Sequence, residues 1–342
     1  MFLTLALLAM LGMAVTWLLT WAIRRYALAT QLLDHPNERS SHATPTPRGG
    51  GLAIVVALLC LTVALWSDHS IGLPLMAAFV GSGVLVAALG FADDRWQVPA
   101  RWRFSGHALA AAWALAWMAP IPPVTVFGTA FALGAVGTLV AGCYIVWSIN
   151  LFNFMDGIDG IASIEAITVT LGGALVWWLA GASTSWTLAL LSACCVAGFL
   201  GWNYPPARIF MGDSGSGFLG LVVGLLSLWC GTEVPQVFWS WFILFGCFMV
   251  DATTTLVRRV RRGEKFHQAH RSHAYQYASR IHGSHKRVSL AFGLINLLWL
   301  LPIAVAVALR WLDGTTGVVL AYAPLVWLAF RYKAGDRASQ EA

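Results

Sequence analysis

Residues 104–155 read FSGHALAAAWALAWMAPIPPVTVFGTAFALGAVGTLVAGCYIVWSINLFNFM and contain no Asp, Glu, Lys or Arg. A helix crosses a bilayer with about 20 apolar residues, so this run is too long for one span. Pro120, Pro122 and Pro123 break it, which predicts two spans, 104–119 and 124–149. The same test applied outward gives 2–23, 49–67 and 70–92 on the N-terminal side. The run 166–207 divides at the polar GASTS of 181–185, and with 160–165 added it gives 160–180 and 186–202. Spans at 214–232, 234–257, 288–309 and 314–330 bring the expected total to eleven. The predicted fold class is therefore all-α: a polytopic membrane protein forming one integral-membrane domain over residues 1–342, because lipid leaves backbone groups no partners outside a helix.

Composition agrees. Of 342 residues 58% are apolar and 11% charged, with a mean hydropathy of +0.71. Soluble domains carry about 25% charged residues, so a soluble enzyme, a disordered tail and a nucleic-acid binder are excluded. The 18 tryptophans suit rings seated at bilayer interfaces. Cys60, Cys143, Cys194, Cys195, Cys230 and Cys247 all lie in apolar runs. They read as small buried hydrophobes, with neither a zinc pattern nor a disulfide framework.

Charge fixes the expected orientation. With eleven spans, the loops 24–48, 93–103, 150–159, 203–213 and 258–287 and the tail after 330 share one side. They hold 20 of the 21 Lys and Arg, leaving Arg310 opposite. Positive residues stay inside, so these loops are expected to be cytoplasmic, with the N-terminus outside and the C-terminus inside. The first run lacks a basic segment before it, and Arg24 and Arg25 follow it, as in a first span rather than a cleaved leader. No internal repeat is visible.

Polar chemistry collects in the same loops. PNERSSHATPTPRGGG (36–51) is a solvated connector or a loop that turns Ser40, Ser41, His42 and Arg48 toward a phosphate. Asp93 and Asp94 close the third span. Adjacent carboxylates repel unless a cation or metal sits near, although a solvated cap is the plainer alternative. Arg95, Arg101 and Arg103 follow, as arginines facing lipid headgroups do. NLFNFMDGIDGIAS (150–163) sets Asn150 and Asn153, then Asp156 and Asp159, at i, i+3. Four oxygen-bearing side chains in ten residues suit a hard cation or a nucleotide. FMGDSGSG (210–217) puts Asp213 among glycines at a helix start, as an anion- or metal-binding residue or a cap. His267, His270 and His273 repeat every three residues and would share one face of a helix. With Arg271 between them and no zinc pattern, an anionic diphosphate is the better ligand. Glu165 and Asp251 are acids within predicted spans and candidates to floor the same cavity.

Together SSHATPTPRGGG, GFADD, NLFNFMDGIDG, FMGDSGSG and AHRSH resemble, in order, the motifs of the polyprenyl-phosphate N-acetylhexosamine-1-phosphate transferases. The resemblance runs from residue 40 to residue 273. It implies that a UDP-N-acetyl-sugar gives its sugar-1-phosphate to undecaprenyl phosphate and releases UMP, on the cytoplasmic face of a bacterial inner membrane. It further implies Mg²⁺, with Mn²⁺ as a substitute, held by Asp213 with Asn153. Asp93, Asp94, Asp156 and Asp159 take catalytic positions. Asn150, His42, Arg48, His270, Arg271 and His273 take substrate-binding ones. The peptidoglycan branch has consecutive histidines where this chain has HQAHRSH, so the O-antigen initiating branch is the closer match. Its donors are UDP-N-acetyl-fucosamine, -quinovosamine or -glucosamine, with the 6-deoxy sugars favoured. The wide apolar perimeter allows a homodimer. The rival class is a transporter or flippase of an anionic lipid or solute, which requires charges along a through-path.

Overall fold

The computed structural model describes residues 2–34, 44–118, 121–181, 183, 185–264 and 270–336. Fourteen α-helices dominate the described residues: α1 (Phe2–Ala29), α2 (Leu52–Ser67), α3 (Leu73–Trp96), α4 (Ala100–Met118), α5 (Gly134–Met155), α6 (Ile161–Leu179), α7 (Trp186–Asn203), α8 (Asp213–Glu233), α9 (Pro235–Leu244), α10 (Gly246–Arg261), α11 (Ala274–His282), α12 (His285–Ile295), α13 (Leu301–Ala308) and α14 (Gly314–Arg331). Two antiparallel two-stranded ribbons join them, β1 (Leu33–Asp34) with β2 (Thr46–Pro47) and β3 (Val124–Val126) with β4 (Thr129–Phe131). The chain is an all-α polytopic membrane protein.

Each of the eleven charge-poor runs contains a helix, but the runs are not equal. Among the described residues, eight helical segments are long and apolar enough to cross a membrane, and nine if the bent pair α9–α10 counts as one span. The expected eleven thus exceeds what length and composition support. α2 is only 16 residues long, and α4 takes Arg101 and Arg103 into its first turn.

Three runs differ from expectation in shape. The run beginning at 124 opens as a hairpin, because β-branched residues flank a Phe127–Gly128 turn with positive φ at both positions. α5 then continues to Met155, carrying Asn150 and Asn153 on its last turns. The 234–257 run bends by 70° between α9 and α10, where the missing side chain of Gly246 lets the Tyr322 ring close in. The 288–309 run contains a π-helical segment, Asn296–Leu300.

α8 is the hub, buried along nearly its whole length and packed on α3, α5 and α9. Its small residues let neighbours come to backbone contact. A Cβ on Gly220 would strike the Ser148 carbonyl, and one on Gly51 would strike the Gly215 Cα. The apolar perimeter belongs to helices such as α1, whose Leu3, Leu7 and Trp17 are exposed. Cys195, Cys230 and Cys247 are buried as expected, but Cys60 and Cys143 are exposed on this perimeter, where lipid solvates a thiol as well as a core does. All six are unpaired.

Candidate active site

The start of α8 is tied to the segment before α2. Gly50 and Gly51 donate N–H bonds to the carbonyls of Phe210 (3.0 Å) and Met211 (2.8 Å), and Phe210 N–H donates to Pro47 (2.8 Å). This brings Arg48 to the end of α3. Its Nε lies 2.8 Å from Asp94 Oδ1 and its Nη2 lies 2.6 Å from Asp213 Oδ1. Burial opposes the charge of Arg48, but the Asp213 and Asp94 carboxylates hold its guanidinium above the usual value. Asp94 also accepts the backbone N–H groups of Asp213 (2.9 Å) and Ser214 (3.3 Å). It therefore satisfies the otherwise unpaired first turn of α8. Gly212 is the residue before that helix, at φ 79°, and a Cβ there would stand 2.7 Å from the Asp94 carboxylate.

Arg103 is a site residue that the sequence did not single out. On α4 it reaches back to Asp93 Oδ2 at 2.6 Å and lies 3.9 Å from Asp213 Oδ2. Facing headgroups was the expectation; one helical turn from α4's start instead aims it inward. Only the pairing of α3 with α4 reveals this. His107, a turn further along α4, is buried with Nδ1 3.3 Å from Asn150 Nδ2. Asn150 also donates to the Val146 carbonyl (2.7 Å), so it packs against α4. Asn153 points to α8, accepting from Ser216 Oγ at 3.3 Å.

Asp156 follows α5. Burial is the main cause holding its carboxyl well above the usual carboxylate range. The charge of Asp213 adds to this, Arg48 opposes it, and Asp94 and Asp159 add further. Asp159 faces the other way: it accepts the Ala207 N–H at 3.0 Å and lies 3.4 Å from His285 Nδ1. With Pro205, Pro206, Arg271, Arg280, His285 and Lys286 it lines a cleft of about 620 Å³. Arg280, His285 and Lys286 were missed by sequence, where they look like ordinary positive loop charges.

The histidine segment is not one helix face, because α11 begins only at Ala274 with His273 as its cap. His42 and His267 lie outside the described residues. The His270 and His273 rings are 4.9 Å apart. Burial pushes the His270 pKa down to about 3, with His273 and Arg259 adding to the effect. A neutral Nδ1 accepts from Ser272 N–H (3.3 Å) and lies 2.9 Å from Ser272 Oγ. His273 is 4% exposed, with Nδ1 3.3 Å from Asp251. Neither intramembrane acid floors the cleft. Glu165 is fully buried and accepts from Asn296 Nδ2 at 2.8 Å, while Asp251 is occupied by α11. Near the end of α10, Arg259 and the capping Arg262 are committed to Glu264, and Arg258 to Asp336.

A divalent cation suits this donor set. Asp213, Asp93, Asp156 and Asn153 offer hard oxygens, and Asp93, Asp94 and Asp213 share two arginines, with Asp156 beside them, leaving an excess of negative charge. Among the described residues no three acidic, His or Cys side chains form a ready-made cage. Mg²⁺ needs none, since it keeps several waters and takes one or two carboxylates.

The chain matches the family model for glycosyl transferase family 4 over residues 75–231, a stretch that includes Asp93, Asp94, Asn153, Asp156, Asp159 and Asp213. It is 29% identical to the decaprenyl-phosphate N-acetylglucosaminephosphotransferase of Mycobacterium tuberculosis, covering 86% of this chain and 80% of that protein. The protein of the same name in Mycolicibacterium smegmatis is 28% identical over 98% of this chain and 91% of its own length. The probable undecaprenyl-phosphate N-acetylglucosaminyl 1-phosphate transferase of Bacillus subtilis is 27% identical, with 82% and 79% covered.

Proposed function

We propose that this chain is a phosphoglycosyl transferase of the glycosyl transferase family 4 type, moving N-acetylglucosamine-1-phosphate from the UDP-sugar to undecaprenyl phosphate. The observation that carries this assignment is the convergence of Asp93, Asp94 and Asp213 with Arg48 and Arg103 at one end of an apolar bundle. A lipid phosphate can approach that end from the membrane. A nucleotide sugar can approach from the cationic cleft of Arg271, Arg280 and Lys286. We take this end as the cytoplasmic face of the inner membrane, and the product as the first lipid-linked unit of a surface polysaccharide such as an O-antigen.

In the reaction, an oxygen of the lipid phosphate attacks the sugar-bearing phosphorus of the donor. The bond from that phosphorus to the bridging oxygen breaks and UMP leaves, so the lipid carries a diphosphate-sugar. The acceptor's second pKa is about 6, so it is largely dianionic at neutral pH and needs no base. Direct attack in one step is the reading we favour.

Asp213 and Asn153 would hold Mg²⁺, which supplies Lewis-acid charge neutralisation between phosphate groups when bound. Arg48 and Arg103 orient anionic oxygens, and substrate phosphates compete with Asp93 and Asp94 for them. Arg271 and Arg280 bind the donor's phosphates, and neutral His270 contributes a hydrogen bond rather than a charge. A transporter would need charged groups along a path through the bilayer; here the ion pairs gather at one end.

Purified protein with undecaprenyl phosphate and a panel of UDP-N-acetyl-sugars tests this. Lipid-dependent UMP release from the glucosamine donor, abolished by EDTA, is expected. Release from only the fucosamine or quinovosamine donors would correct the sugar, and none from any donor by folded protein would sink the assignment.

A further inference from the structure

Asp251, on α10, has both carboxylate oxygens occupied. Oδ1 accepts the Ala274 N–H at 3.0 Å and the Thr255 hydroxyl at 3.1 Å, and lies 3.3 Å from His273 Nδ1. Oδ2 accepts the Tyr275 N–H at 2.9 Å. These N–H groups belong to the first turn of α11, where a helix has no internal partners for them. A nine-residue helix is too short to hold itself. The carboxylate therefore sets where α11 starts and which way it points, with help from the helix dipole.

One residue along, the Tyr275 hydroxyl donates to the Phe154 carbonyl at 3.1 Å. Phe154 lies between Asn153 and Asp156. The Tyr275 hydroxyl also presses on Gly157 so closely that a Cβ there would overlap it. Asp251 is thus two contacts away from the turn that carries two oxygen ligands of the site, yet it does not line the cleft of Asp159, Arg271 and Arg280.

We propose that Asp251 is a positioning residue: through α11 and the Tyr275 hydroxyl it fixes the turn bearing Asn153 and Asp156. The kinetic part of the test rests on the transferase assignment, and the exchange part does not. Full-length protein is compared with Asp251→Asn, Asp251→Glu, Tyr275→Phe and the Asp251→Asn/Tyr275→Phe double variant.

Misplacement by about 1 Å can cost about 100-fold in turnover, so Asp251→Asn is expected to lower kcat by up to that factor. Donor KM should stay within about threefold, as for an effect on the reacting geometry rather than on binding. Tyr275→Phe should lower kcat about tenfold, and the double variant should be no worse than Asp251→Asn, because both act along one path. Asp251→Glu, which keeps the acceptor charge, should recover part of the loss.

Hydrogen exchange by mass spectrometry should rise at both 274–282 and 153–157 in Asp251→Asn, but only at 153–157 in Tyr275→Phe. Faster exchange at 274–282 with none at 153–157 would overturn the proposal, as would single effects that multiply in the double variant. If the wild type releases no UMP from any donor, the transferase assignment fails while the exchange pattern still decides the coupling.

Discussion

Asp213 meets side-chain cations, Arg48 at 2.6 Å and Arg103 at 3.9 Å; Asp251 meets the backbone N–H groups of Ala274 and Tyr275. Both are acids beside an apolar run with arginines nearby in sequence. Their partners separate them. Arginine side chains on partly exposed stems can swing to a phosphate and free the carboxylate without disturbing a helix. Backbone donors cannot leave unless α11 unwinds. The first arrangement is exchangeable and suits a site; the second is fixed and suits a joint.

Asp213→Asn should break this contrast on one side most severely. UMP release should fall by about 10³-fold, the scale of losing a principal transition-state charge contact. Thermal unfolding of the metal-free protein should stay unchanged or rise in midpoint. Asp251→Asn should lower stability as well as kcat. An amide at that position leaves an N–H of α11 unpaired, at about 1–3 kcal/mol per buried group, read as a lowered Tm in detergent. If Asp213→Asn unfolds the protein and Asp251→Asn does not, the distinction is reversed.

Arg103→Met tests whether α4 belongs to the exchangeable cluster. Freed from its 2.6 Å partner, Asp93 should repel the acceptor phosphate, and kcat should fall about tenfold while expression survives. Unchanged turnover would return Arg103 to the headgroups.

Asp156 sharpens the comparison through pH. Its carboxyl is held well above the usual range by burial and by neighbouring carboxylates. The native state therefore keeps a proton that the unfolded state releases near pH 4. Wild-type stability without metal should fall as pH rises from there toward the raised folded value. Asp156→Asn should remove that slope, being the more stable protein at pH 8 and no more stable at pH 4. Parallel pH curves would refute it.

The smallest effect belongs to the other end of the molecule. Glu233 accepts from Trp177 Nε1 (2.9 Å) and from Ser183 (2.7 Å), and Glu233→Gln keeps an acceptor there. Turnover should stay within about twofold; a larger loss would show that chemistry is not confined to the Asp213 end.

Much of this was legible because hydropathy is a one-dimensional signal. Every charge-free run contains a helix, and Asp93, Asp94 and Asp213 at run ends converge on one cluster, while Asp159 faces the neighbouring cleft. What depends on pairing between helices was not legible. Nothing local marks Arg103 as facing Asp93 rather than lipid, since that needs the α3–α4 packing. Glu165 and Asn296 stand 131 positions apart and meet inside the bundle. The hairpin at 124–131 was concealed because its alternating Val–Thr residues are as apolar as a span. The histidine spacing suggested a helix, but Asp251 starts α11 after the last of them.

The contact between Gly51 and Gly215 bears on how this protein can vary. Neither position accepts even a methyl group, so main chain, not side-chain bulk, sets the separation of α2 from α8. Arg48 precedes one glycine by three residues and Asp213 precedes the other by two. The spacing of that ion pair is thereby insulated from drift in the lipid-facing shell. Leucines, valines and tryptophans around the perimeter can be exchanged to suit membranes of different thickness, while the reacting end keeps its dimensions.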